Sequence, residues 1–205
     1  MPAARIGACE AGRGGALVRR DRRERPGPVR VTLSEIRVRA MVDDRRRGQL
    51  LIGPAVIPCA LGAGGIVSDK REGDSGSPRG RFRLRGGAYR PDHLGLRPRT
   101  ALPLRATRPD DGWCDDRRDR RYNRPIRLPA PGISAESMWR PDGLYDVVID
   151  LDYNRAPIRR GRGSAIFLHI ARDGYRPTEG CVALARADLL RLLRRLGPRT
   201  RLRIG

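Results

Sequence analysis

The chain has 205 residues and a mass of 22.9 kDa, enough for one ordinary domain with an arm and too little for two full-sized ones. Hydrophobic residues make up 39%, Gly and Pro number 25 and 17, and no stretch approaches the roughly eighteen unbroken apolar residues of a membrane-spanning helix, which excludes a helical transmembrane protein and a long coiled coil. The net charge is +21 and every basic residue except Lys70 is Arg, but residues 1–48, with 13 Arg against 6 acids, hold only part of that excess, so no single basic stripe marks a specific nucleic-acid binder.

Residues 1–28 read as a basic, disordered arm, because Gly, Pro and Arg with few large apolar groups do not offset the entropy of ordering. They contain no apolar run of signal-peptide length. Residues 29–205 read as one mostly β domain. Val29, Val31 and Leu33 alternate with Arg30 and Thr32 in the period of a half-buried strand, and Ile36 and Val38 continue it. Leu50 to Cys59 is a second apolar segment, interrupted by Pro54 and Pro58. Phe82 and Leu84 alternate with Arg81, Arg83 and Arg85, which predicts a strand with one wet face. Between Arg90 and Arg140, prolines and mixed charges without periodicity predict a long, loop-rich insertion, a common place for binding. Strands return at Leu144–Leu151 and Ser164–Ala171. Leu189, Leu190, Leu192, Leu193 and Leu196 fall at helical spacing before the Gly197-Pro198 stop, and Thr200–Ile204 predicts a closing strand. The architecture is therefore mostly β with one helix in the C-terminal region.

The four cysteines, Cys9, Cys59, Cys114 and Cys181, show no CxxC spacing, and the only histidines are His93 and His169. No structural zinc site is expected from them, and a single Cys59–Cys114 disulfide stays open. The strongest constellation is His169 at the end of the run Ser164-Ala-Ile-Phe-Leu-His169, followed by Thr178-Glu179-Gly180-Cys181. A thiol needs a neighbouring base to become a nucleophile at neutral pH, and imidazole is the usual one. Gly180, lacking a Cβ, lets the backbone pass close to a substrate and leaves amides to face an oxyanion. The alternative is a small buried cysteine beside a packed histidine. Cys114 sits among aspartates that disfavour a thiolate, Cys59 reads as core, and His93 reads as a loop residue at the surface.

The run IFLHIARDGYRPTEGCVAL resembles the active-site signature of the YkuD-like L,D-transpeptidases: a strand-borne His, a loop, then Ser or Thr, any residue, Gly, Cys and a hydrophobic residue. A second block, Lys70 to Phe82, is similar to that family's upstream segment, a Lys-containing strand before a Thr/Ser-Pro-x-Gly-x-Phe turn. The resemblance implies a β-sandwich or barrel-like catalytic domain, with Cys181 as nucleophile and His169 as general base. Thr178, Glu179 and Gly180 would shape the site, and the amides of Gly180 and Cys181 are candidates for the oxyanion hole. It also implies acyl transfer between peptidoglycan stem peptides through a Cys thioester, with no metal or organic cofactor.

Two positions depart from the family pattern: Glu179 stands where a second His is common, and Ala183 where Asn or Arg is usual. The short His-to-Cys spacing implies a trimmed loop and a more open entrance, as in a divergent proteobacterial branch that includes enzymes forming 1,3 rather than 3,3 crosslinks. Replacement contacts are expected in the insertion, where Trp113, Asp115, Asp116, Tyr122 and Asn123 combine an aromatic face, carboxylates and an amide; the alternative is a solvated Asp/Arg loop whose Trp113 plugs the core. Hydrolysis of the same substrate, as carboxypeptidase or endopeptidase, is the alternative outcome of the same site. A non-catalytic basic protein binding nucleic acid or an anionic wall polymer is the rival class, disfavoured by the few aromatics. The presumed substrate places the protein in the periplasm or cell envelope, whereas the N-terminal sequence read alone points to the cytoplasm.

Overall fold

The computed structural model describes residues 32–205, so the predicted arm and the first three residues of the predicted first strand, 29–31, lie outside the described residues. In chain order the strands are β1 (Glu35–Ala40), β2 (Arg47–Ile52), β3 (Ala55–Ala60), β4 (Ile66–Val67), β5 (Ser77–Pro78), β6 (Gly80–Tyr89), β7 (Leu104–Ala106), β8 (Asp111–Cys114), β9 (Arg124–Arg127), β10 (Ala135–Ser137), β11 (Val147–Leu151), β12 (Phe167–Ile170), β13 (Val182–Leu184) and β14 (Arg201–Ile204). Helices α1 (Pro91–Leu94) and α2 (Arg186–Leu193) and a short 3-10 turn at Asp173–Tyr175 complete the set. No helix among the described residues is long and apolar enough to cross a membrane.

Nine strands form one sheet in the order β11-β12-β13-β3-β2-β1-β14-β6-β7, and β11 also pairs with β6. The sheet thus closes on itself, and the mostly β, barrel-like expectation holds. Closure removes edges: β14 runs parallel to β1, so the last strand seals the barrel beside the first described one. Strand β6 shows the predicted alternation, with Phe82 and Leu84 buried and Arg81, Arg83 and Arg85 exposed.

Two expectations are corrected, and one segment is made specific. The apolar segment Leu50–Cys59, broken at Pro54 as its sequence suggested, forms the facing arms of a hairpin, β2 and β3, that turns at Gly53 (φ 56°) and Pro54. Pro58 is tolerated because it lies beyond Cys59 and Ala60, the part of β3 that β13 pairs. The insertion, read as loops, carries a three-stranded antiparallel sheet, β10-β8-β9. A second, short helix, α1, sits at its start.

The two sheets explain why the core is divided. Inside the barrel, Ile36, Val38, Leu50, Ile149, Leu168 and Leu184 pack with Leu189, Leu192 and Leu193 of α2. Outside it, Val148 and Phe167 face the small sheet and form a second cluster with Trp113, Met138, Tyr145 and Cys181. Strands β11 and β12 are therefore covered on both faces. Their near-continuous apolar sequence follows from that burial, since a strand wet on one side would alternate. Cys59 and Cys114 are both free, buried thiols, which closes the question of a disulfide between them.

Candidate active site

Side chains of a strand alternate between faces, and this places the site. In β12, Leu168 and Ile170 point into the barrel core, leaving Phe167 and His169 on the outer face. Strand β13 runs parallel to β12 with Leu168 opposite Val182 and His169 opposite Ala183. Cys181, one step before β13, is therefore the diagonal neighbour of His169 on the same face, with about 7–8 Å between backbones, and the two side chains make no direct hydrogen bond to each other. Both side chains line one cleft of about 380 Å³, and both are over nine-tenths buried.

The hydrogen bonds define their protonation. His169 Nδ1 lies 2.8 Å from the Ile170 carbonyl, an acceptor only, so Nδ1 carries the hydrogen and Nε2 keeps its lone pair. The ring is held edge-on by Tyr145, with centroids 5.2 Å apart. Burial lowers the His169 pKa to about 4, helped by Arg140 and Arg172 and opposed by the Ile170 carbonyl. Burial likewise pushes the Cys181 thiol up to about 12, with Glu136 adding to the rise and the Phe167 amide opposing it. The resting pair is neutral thiol and neutral imidazole. The thiol donates to the Ala165 carbonyl at 3.2 Å and accepts the Phe167 N–H at 3.3 Å.

The loop before Cys181 is fixed from two sides. The Thr178 hydroxyl donates to the Cys181 carbonyl at 2.7 Å and accepts the Gly180 N–H at 3.2 Å. That engages the Gly180 amide and leaves Cys181 N–H as the better-placed of the two expected oxyanion donors. The Thr178 backbone pairs with Leu61 and Ala63. Gly180 has φ 132°, and a Cβ there would stand 2.7 Å from the Gly76 carbonyl, so the close approach of the two loops requires glycine. The exposed Glu179 carboxylate accepts the Ser75 hydroxyl and lines the cleft.

The block Lys70–Phe82 supplies that second loop. The Lys70 ammonium, 3% exposed, donates to Asp74 Oδ1 at 2.5 Å and to the Arg71 carbonyl at 2.9 Å. Asp74 in turn accepts the Gly76 N–H at 2.8 Å, and Ser77 Oγ accepts the Gly62 N–H at 2.9 Å.

Of the insertion residues singled out above, Asp115 lines the cleft. The other four do not. The Trp113 ring is 7% exposed and packs edge-on against Phe167 at 4.9 Å, with its Nε1–H donating to Asn123 Oδ1 at 3.1 Å. Asn123 also accepts the Ala165 N–H at 3.2 Å and so holds the backbone whose carbonyl meets the Cys181 thiol. The buried Tyr122 hydroxyl donates to Glu72, which does line the cleft. Asp116 accepts the Arg118 N–H at 2.9 Å and organises a turn away from the cleft. Sequence reasoning missed Glu136, Tyr145, Ser164 and Arg172, all cleft residues. A Tyr and Glu nine residues apart carry no pattern until the fold sets the Tyr145 hydroxyl on Glu136 and the Tyr145 ring against His169. His93 is exposed, as read, but lies on α1 rather than in a loop, and its Nδ1 donates at 2.6 Å to Asp146, which is 1% exposed.

A closed, mostly β sheet bearing a lone thiol and imidazole on one face of adjacent parallel strands defines a narrow class of proteins. The family model described as the YkuD L,D-transpeptidase catalytic domain matches residues 29–204, and the chain belongs to that family. No curated protein has a matching sequence. Among solved structures the chain is similar to Mycobacterium tuberculosis L,D-transpeptidase 1, at 9% identity and a TM-score of 0.35, over 82% of this chain and 58% of that one. The chain thus spans less than two thirds of that structure's length.

Proposed function

We propose that the protein is an L,D-transpeptidase that transfers an acyl group between peptidoglycan stem peptides through a thioester on Cys181. The observation that carries this reading is the shared face of Cys181 and His169, with Nε2 left unprotonated by the Nδ1 bond to Ile170. The thiol proton passes to His169 Nε2 as sulfur attacks the donor carbonyl. The C–N bond breaks, and the departing amine takes the proton from the imidazolium. Because both groups rest neutral, proton transfer accompanies attack, with no standing thiolate before it. An acceptor amine then resolves the thioester, forming a 3,3 or a 1,3 crosslink. Glu179 and Ala183, standing where the family more often carries His and Asn or Arg, favour the divergent branch and the 1,3 bond. Such a substrate places the enzyme in the periplasm or cell envelope.

Purified enzyme incubated with disaccharide-peptide monomers should yield crosslinked dimers, and Cys181→Ala should yield none. Shortened monomers without dimers would instead establish a hydrolase. Product from Cys181→Ala at the wild-type rate would overturn the thioester.

A further inference from the structure

We propose that Glu136, together with Asp115, receives the ammonium of the acceptor and takes its first proton, so that an amine in place of water resolves the acyl-enzyme; this rests on the acyl-transfer reading above. Glu136 lies on β10 and lines the cleft that holds Cys181. One oxygen, Oε1, accepts the Tyr145 hydroxyl at 2.7 Å and a long contact from Arg140 Nη1 at 3.4 Å. The other, Oε2, takes no hydrogen bond from the described residues. Arg140 does not neutralise it closely, because its Nε and Nη2 are committed to Asp142 at 3.0 and 2.5 Å.

Two further groups in the same cleft lack partners among the described residues. Asp115, which follows β8 beside β10, has a buried Oδ1 without a hydrogen bond. Ser164, 7% exposed, has a hydroxyl without one. Two carboxylate oxygens and a hydroxyl without partners, on residues that line the cleft with Cys181, form the complement of an ammonium, which offers three donors and no acceptor. A buried polar group left unmatched is costly, so Asp115 Oδ1 and Ser164 Oγ point to a ligand that matches them, beside a Glu136 side chain that is 28% exposed.

The electrostatics separate the two half-reactions. Glu136 disfavours charge on the Cys181 sulfur and so does nothing for acylation. Its own carboxyl is raised by burial, which moves it toward the range of a useful base. In the second half-reaction the bound ammonium gives one proton to Glu136 and becomes a free amine. The amine attacks the thioester, its C–N bond forms as C–S breaks, and a second proton passes through His169 to the sulfur. Glu136 then releases its proton to solvent.

The test uses disaccharide-tetrapeptide as donor and acceptor, with intact-protein mass spectrometry for the acyl-enzyme and chromatography for products. Glu136→Gln keeps an acceptor for Tyr145 and removes the charge. It should form the acyl-enzyme within about threefold of the wild-type rate while the ratio of dimer to hydrolysed monomer falls at least about tenfold. Hydroxylamine, a neutral amine that needs no prior deprotonation, should resolve both acyl-enzymes equally, and Glu136→Asp should recover part of the ratio. An unchanged ratio in Glu136→Gln overturns the proposal, as does a loss of acylation, dimer and hydroxylamine reaction together, which would mark a structural role. Absence of any acyl-enzyme on the wild type overturns the acyl-transfer reading and this proposal with it.

Discussion

Cys181 and His169 are each almost fully enclosed, and enclosure favours the uncharged form of both. The Nδ1 bond to Ile170 then selects one tautomer, and the edge-on Tyr145 selects one ring orientation. A thiolate–imidazolium pair formed in advance would titrate near neutrality; this pair does not. The kcat/KM of the enzyme should therefore be flat from about pH 5.5 upward and fall only as the pH approaches the His169 value of about 4. An acid limb centred near 6.5, the ordinary imidazole value, would contradict the neutral-pair account. The same shift bears on stability. An imidazole kept neutral in the fold contributes fully above its unfolded value near 6.5, and that contribution is lost as the pH drops toward 4. The activity profile is therefore to be measured by initial rates on protein shown by circular dichroism to be folded at each pH.

At the level of elements, two loops and two strands bring the site together, and they differ in how clearly the sequence announces them. Strand β6 was legible because one face is wet and Arg alternates with Phe82 and Leu84. The strand carrying His169 was legible as an apolar run, and α2 from its leucines. The hairpin β2–β3 was not, because Pro54 and Pro58 read as breakers when one sits in the turn and the other beyond the pairing of β13. The small sheet was hidden for a different reason: β8, Asp111–Cys114, is buried throughout and only four residues long, so it shows no period. Trp113 consequently read equally well as a binding surface or as a plug of the core, and its ring is the latter, packed against Phe167. The cleft residues Glu136 and Asp115 depend on that hidden sheet.

The loop from Lys70 to Ser77 carries its own prediction. Lys70 is nearly buried and Asp74 is the more open partner, with side-chain exposures of 4% and 27%. Removing the carboxylate strands a buried ammonium, whereas removing the ammonium leaves a carboxylate that water reaches. Asp74→Asn should therefore cost about 3 kcal/mol in urea unfolding and Lys70→Met only about 1 kcal/mol. Equal losses, or a larger one for Lys70→Met, would show that the loop is held by its backbone bonds alone.

For the molecule as a whole, closure of the barrel is what makes the site. Strand β14 joins β1 to β6, β6 joins β11, and the ring returns through β12 and β13, so the register that sets Cys181 beside His169 is enforced from both directions. The charge of +21 is a property of the entire chain, dispersed among many arginines. Around the thiol the charges are mixed instead, with Glu72, Asp115, Glu136 and Glu179 facing Arg140, Arg172 and Arg176. A substrate bearing both amines and carboxylates suits such a cleft better than a uniform polyanion does. The measurement that tests the central claim most directly is the site of acylation by a carbapenem, whose strained amide carbonyl stands in for the donor carbonyl. Intact-mass and peptide-mapping spectra should show one adduct, confined to the peptide containing Cys181, absent from Cys181→Ala and formed more slowly by His169→Asn. An adduct on Cys59 or Cys114 in its place, or a rate indifferent to His169, would contradict the account.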